Sequence, residues 1–427
     1  MKTRIFCCLL AAAVAIGMYA QGGTKSPYSQ FGLGVLSDQS QGMNRGMNGV
    51  GIAMRVGNEV NTLNPAAYSA VDSLTMLFDA GLSAQVTNFQ EGNVKQNGKL
   101  ANFEYIVSSF RLFRKVGMSF GVIPFTNVGY SYSTSTLLDE TNGTIYETYS
   151  GSGGLHQAFV GLGWRIFKPL SVGVNASYLW GDINRSVVSS STSYVNALQK
   201  QYSVSVSNYK LDFGMQWEQR IGKKDAVTVG ATYGLPHQLK ADPQLMVIST
   251  NASTSTSDTT SFKLRDGLKL PLMLGAGLSY NHDNRLIVAA DATFQRWGTV
   301  GEPTYNSSTR VYGLSSGQHM SRYKGSIGVN WTPNPQSLRY FDHLQYRIGA
   351  GYATPYYKIN GKDGPSELSV SAGIGIPIVN FWNNRSVLNI SGQWIQTKAT
   401  GFIKENTFRL NIGLTFNERW FAKWRVE

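Results

Sequence analysis

Three stretches of the chain alternate apolar and polar positions with a period of two. Leu170, Val172, Val174, Ala176, Tyr178 and Trp180 interleave with Ser171, Gly173, Asn175 and Ser177. Leu286, Val288, Ala290, Ala292 and Phe294 do the same with Asp291, Thr293 and Gln295. Phe408, Leu410, Ile412, Leu414 and Phe416 interleave with Arg409, Asn411, Gly413 and Thr415. Successive side chains of a strand point to opposite faces, so this pattern predicts strands with one apolar and one polar face. Marking every such segment predicts strands over 74–88, 100–113, 116–134, 144–167, 170–188, 203–219, 225–239, 262–281, 284–297, 318–332, 342–359, 366–380, 385–399 and 404–416.

The connections between these strands also alternate. Arg114-Lys115, Lys168-Pro169, Gly222–Lys224, Asn281–Asn284 and Asn380–Asn384 are short turns, whereas 189–202, 240–261 and 298–317 read as long polar loops. Short turns at one end and long loops at the other are the asymmetry of an outer-membrane barrel, and an even strand count puts both termini in the periplasm. The expected fold is all-β, a transmembrane antiparallel β-barrel of about fourteen strands over 74–416. Residues 417–427 are expected to form a basic, aromatic periplasmic tail (Trp420, Phe421, Trp424).

Composition agrees with a wall of this kind. The chain has 46 Gly, 22 Tyr, 20 Phe and 9 Trp, and its mean hydropathy is −0.18. Past residue 20 there is no apolar run long enough for a spanning helix. Lys2 and Arg4 before an uncharged run from Ile5 to Met18, then Tyr19-Ala20-Gln21, predict a secretory signal peptide over 1–20, cleaved after Ala20. Cys7 and Cys8 would leave with it, so neither a disulfide nor a thiolate metal site is expected in the mature chain. The formal charge of +13 falls to +11 when Lys2 and Arg4 are removed. Many of the cations sit in the predicted turns, where they suit anionic lipid headgroups, and an exported chain gives no reason to expect nucleic acid.

Residues 21–73 precede the first strand. They are rich in Gly, Ser, Asn and Met without a sustained period, and are expected to fold into the lumen as a hatch. Here the chain resembles a known family. Gly46-Met47-Asn48-Gly49-Val50-Gly51-Ile52-Ala53, leading to Asn64-Pro65-Ala66, is similar to the N-terminal hatch of FadL-type outer-membrane transporters of long-chain fatty acids and other hydrophobic compounds. That family joins such a hatch to a fourteen-stranded barrel. Gly121 to Tyr130, with Pro124, Asn127 and Gly129, resembles the family's third strand, where the wall kinks. A proline cannot donate to a ladder and so marks a local break. The match is closest over the hatch and the first three strands. Ala67 and Tyr68 stand where the family usually has Gly and Leu after its Asn-Pro-Ala motif.

Signals for chemistry are weak. His156, His237, His282, His319 and His343 are scattered without metal-ligand spacing. The sequence has no nucleophile elbow and no phosphate loop, so neither an enzyme nor a cofactor is expected. By strand parity Arg347 and Arg409 face the lumen, where either would meet the carboxylate of an acidic ligand. Alternatively they would form structural ion pairs inside the barrel, with Asp291 as a candidate partner.

The resemblance implies uptake of fatty-acid-like molecules, held in the lumen and released by hatch movement or laterally at the third strand, in contact with outer-membrane lipids and lipopolysaccharide. A second reading is a non-transporting barrel that serves as a partner or shuttle in protein secretion or surface-lipid assembly, as FadL-like barrels do in type IX secretion systems. An open porin is disfavoured because a hatch would block it. On either reading the mature protein should start near Gln21, fractionate with outer membranes and migrate differently in gels when unheated, since a closed barrel has no edge at which to unravel. Identical migration with and without heating, in a soluble fraction, would exclude the barrel.

Overall fold

The computed structural model describes the chain apart from residues 1–22, 139–142, 193–195, 252, 307, 338, 380–384 and 420–427. The expected signal peptide, the turn at Asn380–Asn384 and most of the expected tail lie outside the described residues. Fourteen antiparallel strands make a closed barrel. They are β1 (Thr75–Glu91), β2 (Val94–Phe113), β3 (Val116–Leu138), β4 (Gly143–Arg165), β5 (Leu170–Ser191), β6 (Asn196–Ile221), β7 (Asp225–Gly234), β8 (Met273–His282), β9 (Leu286–Gln295), β10 (Arg322–Trp331), β11 (Gln345–Ala353), β12 (Ser366–Val379), β13 (Arg385–Lys398) and β14 (Lys404–Arg419). Each pairs with the next, and β14 returns to β1 from Gln90↔Lys404 to Thr75↔Arg419.

The alternation seen in the sequence becomes two surfaces. Leu82, Leu162, Val229, Leu278, Ile327 and Leu410 point outward and are exposed. Aromatic rings edge this apolar belt. Trp164, Trp217 and Trp331 lie toward the turn end. Toward the loop end Tyr178 stacks on Trp180 at 5.8 Å, and Tyr209 on His237 at 4.3 Å. An apolar belt between aromatic girdles is what a bilayer requires of a barrel exterior. Inward positions on the same strands carry buried Ser171, Asn175, Gln216 and Asn411.

The wall is taller on one side than the sequence pattern indicated. β7 to β11 have 9 or 10 residues, enough to cross a bilayer. β3 to β6 have 23, 23, 22 and 26 and rise well past the aromatic girdle. The segment expected as a loop at 189–202 is therefore mostly strand. The loop at 240–261 contains a hairpin, Gln244–Asn251 with Thr256–Lys263, whose first arm extends β6 from Gln244↔Ser203 to Asn251↔Asn196. The loop at 298–317 likewise holds the hairpin Glu302–Asn306 with Val311–Ser315. At the β1–β2 connection only Gly92 and Asn93 separate the strands. These strands escaped notice because alternation reports lipid on one face. Above the membrane both faces are wet, and Ser/Thr-rich strands carry no apolar period.

The segment from Gly23 onward enters the lumen. Its regular elements are short: 3-10 turns at Pro27–Gln30 and Pro65–Ala70, the two-residue strand Val35–Leu36 and one helical turn at Gly42–Gly46. Glycines on the inner wall let it lie directly on the barrel backbone. A β-carbon on Gly173 would sit 2.4 Å from the carbonyl carbon of Pro65. Gly173→Val should leave the barrel heat-modifiable but push the hatch off the wall. The expected cost is about 1–3 kcal/mol of overpacking, read as faster amide exchange across Asn64–Ala70. Unchanged exchange would mean that the contact is slack.

Candidate functional site

A buried polar network holds the hatch at mid-lumen. Arg45, only 3% exposed, lies 3.0 Å from Glu104 on β2, and donates to Asn411 at 3.2 Å and to the Ser40 carbonyl at 3.0 Å. Its guanidinium also covers the Tyr105 ring at 5.2 Å. Asp38 lies half-buried nearby. Burial opposes its ionisation, but Arg45 and Lys324 outweigh that and hold its carboxyl below the usual range. A second pair joins Arg347 on β11 to Glu59 of the hatch at 3.6 Å. Burial pushes the Glu59 carboxyl upward, while the charge of Arg347 and a hydrogen bond from Thr415 pull the other way.

The Asn-Pro-Ala segment is tied at both ends. Asn64 caps the turn Pro65–Ala70 by accepting from the Ala66 amide at 3.1 Å. Its side-chain amide donates to the Ile52 carbonyl at 2.8 Å and to the Met215 carbonyl of β6 at 3.1 Å. Asn64 thus joins two hatch segments and the wall.

The wall itself has a seam. The ladder between β2 and β3 runs from Phe113↔Val116 to Ile106↔Val122 and goes no further. Beyond that rung, no described residue of β2 pairs with β3. β3 stays paired with β4 along its length, with one irregularity between Pro124 and Thr126. The vacated edge is filled by the hatch. Val35 pairs with Asn127 and Leu36 with Thr126, antiparallel. The Ser37 amide donates to the Phe125 carbonyl at 3.0 Å, and Gln39 donates to the Pro124 carbonyl at 2.7 Å. Asn127 donates to Ser37 at 2.8 Å, and the Gly129 amide donates to the Ser29 hydroxyl at 3.1 Å. On the other bank, Asn102 of β2 donates to the Gly23 carbonyl at 2.9 Å. Residues 23–39 therefore stitch the two sides of the seam together.

The bend continues into the neighbouring strands. Gly154, opposite Asn127, has a φ of 138°, and Gly181, opposite Leu155, has 144°. β-Carbons there would lie 2.4 Å from the Thr126 carbonyl oxygen and 2.1 Å from that of Gly154. Only glycine supplies both the backbone angle and the clearance.

Between hatch and loops, described side chains of the hatch and the wall pack into a buried apolar cluster. Tyr28, Leu33, Val128, Leu179, Trp297 and Tyr357 belong to it. The Tyr28 hydroxyl donates to the Ile403 carbonyl, and Tyr357 donates to the Tyr28 carbonyl at 3.1 Å. A cavity of about 60 Å³ lies beside Leu33, Ile183, Leu268 and Val300, with Arg185, Glu302 and His319 also in its lining.

Gly121, Pro124, Asn127 and Gly129 all come to the seam, Gly121 beside its last rung. Of the two wall arginines expected to face the lumen, Arg347 meets a carboxylate of the chain itself and also reaches Asn330, Asn389 and Gln345. Arg409 donates to Gln85 at 2.9 Å. Asp291 does not take the part of an ion-pair acceptor expected of it. It accepts from the amides of Gly51 and Ile52 at 2.6 and 2.9 Å, because the hatch turns there and points those donors at the wall. The sequence reading missed Ser29, Val35, Leu36, Gly154 and Gly181. Isolated glycines inside strand patterns are a bulge signal that would have found the last two.

A family model named BamG matches residues 1–427. No curated protein matches the sequence. Among solved structures, the CymD monoaromatic hydrocarbon channel aligns with a TM-score of 0.60 at 14% identity, over 92% of this chain and 99% of that one. The toluene transporter TbuX of Ralstonia pickettii aligns with 0.58 at 13%, over 90% and 99%. A FadL homologue of Pseudomonas aeruginosa aligns with 0.59 at 10%, over 90% and 99%. At such identities the likeness is one of fold, and the fold is that of channels for hydrophobic compounds.

Arg45→Ala would leave Glu104 buried without its ion-pair partner. Breaking one half of a buried pair costs about 3–5 kcal/mol, which should appear as loss of amide protection over residues 40–47 while the barrel stays assembled. Protection equal to wild type would show that the hatch does not depend on this pair.

Proposed function

The chain belongs to the BamG family, and on that premise we propose that it is a closed partner barrel in protein secretion or surface-lipid assembly, integral to the outer membrane with its loops outward and both termini in the periplasm. The observation that carries this reading is the packed cluster of hatch and wall side chains in the upper lumen. Sites for small hydrophobic molecules run to roughly 300–1,000 Å³, whereas the cavity between hatch and loops is about 60 Å³, room for little more than water. Side chains of the hatch occupy the place of a ligand, Arg347 already has a carboxylate in Glu59, and the hatch backbone completes the seam.

A second reading, uptake of fatty-acid-like molecules, draws support from the seam and from the apolar character of the upper lumen. On that reading residues 23–39 would withdraw, a ligand would enter the space they leave, and it would pass between β2 and β3 into the membrane. Gly121 is a poor probe of this route, since a β-carbon there would strike the Ile106 carbonyl oxygen at 2.4 Å. Pro124→Val is the cleaner variant.

The two readings separate in one experiment. The mature protein, extracted from its own outer membrane in mild detergent, should run in native mass spectrometry as an assembly heavier than a single mature chain, without a co-purified lipid in the lumen. Cells carrying it should take up a fluorescent fatty acid no faster than cells lacking it. A monomer loaded with fatty acid, with uptake that falls in Pro124→Val, would replace the partner role with transport.

A further inference from the structure

Above the seam, β3 keeps a free edge. From Tyr130 to Leu138 the strand pairs with β4 on one side, Tyr130↔Gly151 to Leu138↔Gly143, and no described residue pairs with it on the other. The rungs just below are already taken by an added strand, Val35–Leu36 against Asn127 and Thr126. The chain itself thus demonstrates that this edge accepts an antiparallel partner. The open stretch lies past the Tyr178–Trp180 girdle, so lipid does not cover it. Ser131, Ser133, Ser135 and Thr136 are exposed there, and Leu137 is 76% exposed.

Which amides face the opening follows from one contact. The Gly129 amide donates to Ser29, and the Ser29 hydroxyl donates to the Gly129 carbonyl at 3.3 Å, so both backbone groups of Gly129 point across the seam. Backbone groups alternate sides along a strand, and the register with β4 is regular from Thr126 to Leu138. The N–H and C=O groups of Ser131, Ser133, Ser135 and Leu137 therefore point outward from the edge.

Exposed edges are normally blunted by lysine, proline, bulges or inward charges, because an unguarded edge recruits other strands. Two other long free edges among the described residues are guarded. On the facing bank, β2 carries Lys95 and Lys99. The outer arm of the long hairpin, Thr256–Lys263, carries Asp258 and Lys263, the latter paired with Asp242 at 3.2 Å. Tyr130–Leu138 contains no charge and no proline, and its Ser/Thr/Tyr composition favours sheet.

We propose that the β3 edge from Ser131 to Leu137 is a docking edge for an extended segment of a partner protein at the loop end of the barrel, bound as one more antiparallel strand above Val35–Leu36. The recognition is main-chain pairing, which suits a partner selected by shape and register rather than by charge. This rests on the partner-barrel reading above and names the surface through which that barrel acts.

The test uses proline at edge-facing positions, where only the partner ladder loses a donor. Ser133→Pro and Ser135→Pro, separately and together, should leave the unheated barrel band and the β4 ladder intact. Each should weaken the native assembly on the order of ten-fold, the value of one hydrogen-bonded rung. Ser133→Ala, which keeps the amide, should behave as wild type. In the wild-type assembly the amides of residues 131, 133, 135 and 137 should exchange slowly, and in the isolated barrel fast. An assembly that survives both prolines would refute the docking edge and leave the partner reading standing. A wild-type protein that is monomeric in gentle extracts would sink both. Photo-cross-links from residue 133 that reach only a second copy of this chain would overturn the hetero-partner in favour of self-association.

Discussion

Backbone amides and carbonyls cannot be left unpaired in hydrocarbon, because no water reaches them and each orphan costs several kcal/mol. A barrel meets this demand by closing on itself, and here the closure is incomplete. The ladder between β2 and β3 parts at Ile106↔Val122, the rung in line, through Ala158, with Tyr178 of the loop-end girdle. The hatch repairs it by placing Val35–Leu36, Ser37, Ser29 and the Gln39 side chain on the edge that β3 exposes. The hatch is thus at once a plug of the lumen and a piece of the wall.

That double duty explains why the hatch is held so firmly. It has little regular structure, so its own backbone groups need partners. Asn44 donates to the Val50 carbonyl and Asn61 to that of Gly51. Asp291 and Gln216 reach in from the wall to serve the segment around Ile52. Buried arginines then fix its position, Arg45 as a hatch cation against a wall acid and Arg347 as a wall cation against a hatch acid. Buried pairs of this kind specify position more than they add net stability. Hatch and wall are thus bound to each other from both sides. The tall face from β3 to β6, together with the hairpin 244–263, gives the barrel a sheet standing clear of the membrane.

A shared fold does not by itself carry a shared function. The chain aligns along most of its length with hydrocarbon channels, and the seam stands at the third strand, where the sequence resembles theirs. What the chain places in the seam and in the upper lumen is its own polypeptide. Function resides in such local arrangements rather than in the architecture that carries them.

The barrel was legible in the sequence because lipid imposes a pattern on it. Where one face meets hydrocarbon and the other a polar lumen, residues must alternate, and the strand number and the alternation of turns follow. The Asn-Pro-Ala turn was legible too, since Asn before Pro is a local signal. Three things were decided only in the fold. The upper halves of β3 to β6 carry no apolar period because water wets both faces. Arg347 could be assigned to the lumen by parity, but its acid, Glu59, lies far away in sequence and only the packed hatch brings it there. The occupant of the seam was hidden for the same reason: Val35 and Leu36 show no strand signal of their own and become a strand because β3 offers an edge. Period records which face a residue takes, and contacts between distant segments leave no period behind.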